Sequence, residues 1–203
     1  MFGRGTKWRR KLAVWIRDDI QNGFLIIVAC FFTFGSLLMA DWTFNSHEGI
    51  NAFVRVYEYY EEIVNGHIPP LHFSNVNHQA GFAFPMYYPP MGYYVALPIY
   101  VLTYNAILAI HLSFFFSVML SGIFFYQMAK EISVHRMVAL AGALLYMTFP
   151  YRYTEIFVRQ ALAEAWTFVW FPPVVLGIVR VLKGRPVPWF LPLATAACVL
   201  SHT

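Results

Sequence analysis

Long apolar runs broken by short charged turns restrict this chain more than any other feature. Residues 23–40, 106–129, 165–182 and 187–203 are runs of helical length almost empty of charge. A helix rises about 1.5 Å per residue, so a run like 23–40 covers about 27 Å, close to the roughly 30 Å hydrocarbon core of a bilayer. Charged residues are only 12% of the chain, half of the roughly 25% usual in soluble domains. Aromatic residues reach 19%, and Tyr and Trp favour membrane interfaces. The expected fold is therefore all-α, with polytopic transmembrane helices, because lipid leaves a backbone few other ways to satisfy its hydrogen bonds.

The first apolar run is too long for a signal-peptide core of roughly 7–15 residues and lacks a convincing small-residue cleavage site. It reads as a retained span. Residues 1–19 carry Arg4, Lys7, Arg9, Arg10, Lys11 and Arg17 and are expected on the cytoplasmic side by the positive-inside rule. The organisation that follows is a cytoplasmic segment 1–19, a first span 20–40, an extracytoplasmic loop 41–90 and a helical bundle 91–203. The run 91–104 is short for a span and is expected as a re-entrant or oblique half-helix. The basic turns with Lys130/Arg136 and Lys183/Arg185 then face the cytoplasm, and the patch 151–164 faces outward with the first loop. Ending without a closing loop, the chain reads as the N-terminal part of a longer protein of the plasma membrane.

The formal charge of +4 is no nucleic-acid signal, because the bases sit at the N-terminus and in the turns; no nucleic-acid partner is expected. Cys30 and Cys198 lie in apolar runs and suggest neither a disulfide framework nor a metal site.

Segment 41–90 is the polar exception. It holds five of the ten acidic residues (Asp41, Glu48, Glu58, Glu61 and Glu62), together with Arg55 and four of the seven histidines. Phe53, Val56, Tyr57, Tyr60, Ile63 and Val64 recur at helical spacing, with charges between them, so an amphipathic helix lying on the outer leaflet is expected. Glu48 and Arg55 are seven apart and share a helix face. A carboxylate there can act as general base or hold a metal, and an arginine can grip a phosphate. The plainer reading pairs Arg55 with Glu58 or Glu62 on a solvated face.

In the second patch Glu155 and Arg159 have the spacing of an ordinary helix pair. That leaves Glu164 alone at the mouth of a span, where an isolated charge is costly. The loop histidines, His47 among them, lack tight ligand spacing, so no metal site is assigned and a divalent cofactor stays open. Residues 84–90, including Tyr88, are suited to line a sugar or lipid site, although interfacial aromatics need no such role. His202, near the outer end of the last run, is placed to reach the same cavity.

Several local sequences occur in a recognisable order. They are Asn65-Gly66-His67-Ile68-Pro69-Pro70, Ala80 to Pro90, Tyr93-Tyr94, Pro150-Tyr151-Arg152, Arg159 to Glu164 and Leu200-Ser201-His202. That order resembles the prokaryotic polytopic family labelled 6-pyruvoyl-tetrahydropterin synthase-related, which is similar to the GT-C glycosyltransferases. The resemblance covers residues 20–203 and implies sugar transfer from a polyprenyl-phosphate donor to a glycan, lipid or protein acceptor. It places the catalytic acid in the first outer loop, at Glu48, or at Asp41 if the loop aligns differently. His47, Arg55, Tyr88, Arg159, Glu164 and His202 are the expected substrate contacts. Family members often carry an aspartate followed by a histidine four residues on, whereas this chain has Glu48 and Ala52. A transporter or flippase of lipid-linked glycans, and a non-catalytic subunit of an envelope-polysaccharide complex, are the alternatives.

Overall fold

The computed structural model describes residues 3–39, 46–133 and 135–202, with side chains from residue 18 onward. Among them all regular structure is helical, apart from one isolated antiparallel bridge between Phe73 and Phe82. Helix α1 (Gly3–Phe34) joins the basic N-terminal segment to the first apolar run without a break, where the sequence suggested two separate pieces. It stops at Gly35, where a Cβ would lie 2.3 Å from the Phe31 carbonyl oxygen, and a short α2 (Ser36–Met39) follows. Asp41 lies outside the described residues.

Helix α3 (Gly49–Val64) is the amphipathic helix of the loop, and a short α4 (Phe84–Tyr87) precedes α5 (Met91–Thr103). Then come α6 (Ala106–Ile132), α7 (Arg136–Met147) and α8 (Pro150–Tyr153). A π-helical turn (Thr154–Arg159) leads into α9 (Leu162–Leu182), and α10 (Phe190–Ser201) closes the described chain.

Helix α6 is the axis on which α1, α5, α7 and α9 pack. Its buried side carries Ala109, Ser113, Ser117, Ser121 and Gly122, small residues that let neighbouring backbones approach closely. A Cβ on Gly122 would fall 2.1 Å from Met147 Sδ of α7 and 3.1 Å from Ile26 Cγ2 of α1. Ser113 Oγ donates to the Gly92 carbonyl (3.2 Å) and accepts from Trp166 Nε1 (3.0 Å), which ties α5, α6 and α9 at one level.

Helices α6 and α9 run in the same direction, since Ser113 meets Trp166 near their starts and Glu131 meets Arg180 near their ends. At that second end Asp18 and Asp19 of α1 pair with Arg136 (3.0 Å) and Lys130 (2.8 Å). Both basic turns therefore share one end of the bundle. Helices α6 and α9 are long and apolar enough to cross a membrane. Helix α5, with 13 residues, extends about 20 Å and falls short of a bilayer core. Large apolar side chains point outward, including Phe32 (88% exposed), Leu102 (83%) and Leu145 (71%), an arrangement that water does not reward.

Helix α3 turns inward much of the face its periodicity suggested, since Val56 is buried and Phe53, Tyr60 and Ile63 pack against the core. Tyr57 and Val64 are exposed instead, and the buried side extends to Ala52, Tyr59, Glu58 and Glu62. The cause is the segment after the helix, which folds back over it. Ser74 N–H donates to Glu62 (2.7 Å), Asn75 N–H donates to Glu58 (3.4 Å), and the His67 ring lies 2.6 Å from Glu62. Burial alone would raise the Glu62 pKa, but the Ser74 and His67 contacts outweigh it and hold the group below its ordinary value.

Candidate functional site

Two backbone hydrogen bonds join the first loop to the π-helical turn of the second polar patch. The His47 N–H donates to the Val158 carbonyl and the Glu48 N–H to the Arg159 carbonyl, both at 3.1 Å. The Ser46 hydroxyl accepts from Gly49 N–H at 2.9 Å, satisfying one of the free donors that open a helix. Glu48 is thereby held at the start of α3, beside Arg159.

Arg55 reaches back along α3, and its Nη1 donates to Glu48 Oε2 at 2.5 Å and to the Tyr93 hydroxyl at 3.2 Å. Its guanidinium carbon lies 4.0 Å from the Phe84 ring centroid and 5.6 Å from that of Tyr88, and those two rings stack at 4.6 Å. An arginine over an aromatic face gains from the ring quadrupole. Burial tends to lower the Arg55 pKa; the Tyr93 hydroxyl and the Glu48 carboxylate outweigh that and raise it. The partner of Arg55 is thus Glu48, not Glu58 or Glu62, which bond the fold-back segment.

The second cluster is centred on Arg159. Its Nη1 and Nη2 donate to both oxygens of Glu164 (2.9 and 2.6 Å), and Nη1 also bonds Glu155. The Tyr151 hydroxyl donates to Glu164 (2.8 Å) and accepts from Arg159 (3.1 Å). His202 Nε2 stands 3.8 Å from the same carboxylate. Glu164, expected alone, is therefore held on three sides. The π-helical turn and Gln160, with φ of 54°, bend the chain so that Arg159 points back to α9.

Glu155 is fully buried, and one of its oxygens has no hydrogen-bond partner among the described residues. Burial first, then the neighbouring Glu164, push its pKa up to about 7. Glu164 in turn pushes the Tyr151 hydroxyl up to about 12, chiefly through their hydrogen bond. Two carboxylates sharing one arginine cannot both ionise freely. Arg152 is also fully buried. Its Nη1 donates to the Ala165 carbonyl (3.1 Å) and its plane sits 4.7 Å from the Phe168 ring. Burial lowers its pKa to about 10.

Tyr88 stacks on Phe84 and faces Arg55. Burial chiefly raises its pKa, with Tyr93, Glu48 and Glu164 acting in the same direction and Arg55 against them. Of the expected site residues, Glu48, Arg55, Tyr88, Arg159, Glu164 and His202 gather at one end of the bundle. His47 contributes its backbone there and leaves its side chain exposed. Sequence reasoning did not name Tyr93, Tyr151 or Glu155 as site residues. Tyr93 and Tyr151 entered only within the local sequences that carry the resemblance, and Glu155 only as a simple helix pair with Arg159, which does form. Gln160 would have needed its backbone angle, the kind of strained position that collects at functional sites.

Among the described residues no three His, Cys, Asp or Glu side chains group as metal ligands. What the arrangement offers is a carboxylate at the rim, two arginines able to receive an anion, and an aromatic floor. Comparison with protein-family models, curated proteins and solved structures finds no match.

Proposed function

We propose that the chain is a membrane glycosyltransferase of GT-C type, or part of one. It moves a sugar from a polyprenyl-phosphate donor to an extracytoplasmic acceptor. The observation that carries the reading is the backbone pairing of residues 47–48 with 158–159. Through it the two acid–arginine clusters are joined at the end of the bundle away from the basic turns, with the Phe84 and Tyr88 rings beneath Arg55.

Glycosyl transfer passes through an oxocarbenium-like transition state, with charge growing on the departing phosphate. Arg55 and Arg159 supply positive charge for that phosphate, and Phe84 and Tyr88 give the sugar a face to stack on. Glu48, about a third exposed, takes the proton from the acceptor hydroxyl as its oxygen attacks the anomeric carbon. The bond from that carbon to the phosphate oxygen breaks, and polyprenyl phosphate leaves with the electron pair. In the free protein Arg55 holds Glu48. A donor phosphate competes for Arg55 and frees the carboxylate, so binding the donor prepares the base.

The Glu48→Gln protein in membranes is expected to bind donor and to lose sugar transfer by 10²-fold or more, the usual weight of a general base. Unchanged transfer would refute the assignment. One observation favours the reading as a non-catalytic assembly subunit: the charges of the site already neutralise one another. That reading expects Glu48→Gln to leave polysaccharide output untouched. A transporter site would sit nearer mid-bundle, and these acids lie at one end.

A further inference from the structure

Helices α6, α9 and α10 enclose a groove of about 600 Å³, within the roughly 300–1,000 Å³ usual for ligand clefts. Its walls are mostly apolar, with Phe124 from α6, Trp170 and Leu176 from α9, and Leu193 and Ala197 from α10. Gln127 and Arg180 line it as well. Trp170 and Arg180 are ten residues apart on α9, so the groove follows that helix for about 15 Å. That is half of a roughly 30 Å hydrocarbon core, the depth of a single leaflet.

The Arg180 end is strongly basic. Arg180, Lys183 and Arg185 all close on the one carboxylate of Glu131, at 3.3, 3.2 and 3.1 Å. Three cations face one acid, and their side chains stay 35–55% exposed while Glu131 is 13% exposed. Trp189 is 79% exposed beside them, at the level where indoles meet lipid headgroups.

We propose that this groove binds one anionic phospholipid from the leaflet at the basic end. An acyl chain lies between α9 and α10, and the headgroup phosphate sits on Arg180 and Arg185. The inference rests on the membrane part of the reading above and is independent of sugar transfer. A neutral lipid would fill the apolar trough and leave the surplus positive charge unanswered. A free anion would answer the charge and leave the trough bare. An anionic amphiphile meets both, as basic pockets between spans do for acidic headgroups.

The test is native mass spectrometry of the delipidated full chain, titrated with phosphatidylglycerol and with phosphatidylcholine of identical chains. One phosphatidylglycerol is expected to bind, with a preference of about fivefold for each net positive charge and about thirtyfold for two. The Arg180→Gln/Arg185→Gln protein, changed only at partly exposed positions, is expected to lose the preference and still take up either lipid weakly. Ala197→Phe is expected to block both lipids by filling the trough. Equal binding of the two lipids by the unaltered protein would overturn the proposal. So would full phosphatidylglycerol binding by Ala197→Phe, or displacement of the lipid by inorganic phosphate alone. Crosslinking from position 193 to another polypeptide, and not to lipid, would overturn it too. Loss of sugar transfer in Glu48→Gln leaves this result unmoved, and a chain absent from the membrane fraction fails the membrane reading itself.

Discussion

Replacing Glu155 by glutamine should make the protein more stable above neutral pH and leave it unchanged in acid. Glu155 is fully buried, shares Arg159 with Glu164 and leaves one oxygen without a partner among the described residues. Its pKa rises from 4.5 to about 7 on folding. A carboxyl raised in this way binds its proton more tightly in the folded state. Its stabilising contribution is complete below about pH 4.5 and is lost as pH climbs through about 7. At pH 8 the full shift corresponds to about 3 kcal/mol, an upper bound, because relaxation and water entry reduce such penalties; about 1–2 kcal/mol is the working figure. For a chain of this size that is several degrees in Tm. The assay is thermal unfolding in detergent from pH 4.5 to 8.5, followed by tryptophan fluorescence. Infrared spectroscopy at pH 6 should show a protonated carboxyl C=O band that is absent from Glu155→Gln. Parallel pH profiles for the two proteins, or an unchanged carboxyl band, would refute the reasoning.

Glu164→Gln should act in the opposite sense, losing about 1–3 kcal/mol by breaking charged hydrogen bonds to Arg159, and it should flatten the same pH profile because Glu155 gains Arg159 for itself. Gly92→Ala places a Cβ 2.6 Å from Leu162 Cγ and 3.1 Å from Trp166 Cδ1; it should cost about 1–3 kcal/mol in denaturant melts, and Leu162→Ala in the same chain should recover part of that. Arg152→Met exchanges a buried guanidinium, two of whose nitrogens have no hydrogen-bond partner among the described residues, for an apolar chain and should be neutral or stabilising; a loss above about 2 kcal/mol would mean that Arg152 holds something further. Arg55→Lys keeps the charge but not the planar fork stacked on Phe84, and equilibrium binding of a polyprenyl-phosphate sugar should weaken about tenfold.

The helices themselves were legible because lipid-length apolar runs and polar turns are written directly in one dimension. Helices α6, α7, α9 and α10 follow the apolar runs to within a few residues at each end. The inward face of α3 was legible only in part. Its period pointed correctly to Phe53, Val56, Tyr60 and Ile63, but Ser74 and Asn75 bring backbone donors over Glu58 and Glu62 and bury these carboxylates, while Tyr57 and Val64 stay exposed. A periodicity argument assumes that acids face water, and a loop returning from 17 positions along the chain is invisible to it. In the Arg159 cluster the expected Glu155–Arg159 pair does form, but the partner of Glu164 was missed for a similar reason. Spacing treats 155, 159 and 164 as points on one regular helix, whereas a π-helical turn and a left-handed Gln160 swing Arg159 onto Glu164.

Hydropathy and charge placement alone settled the helical class, the spans that α6 and α9 are able to make, and the grouping of both basic turns at one end. Those follow from solvent preference, a property each residue carries wherever it sits. That the Glu48–Arg55 pair and the Arg159 cluster stand together was decided only when residues 47–48 paired through their backbone with residues 158–159. That contact depends on ångström distances between residues far apart in the chain, and only packing around the small-residue face of α6 sets those distances.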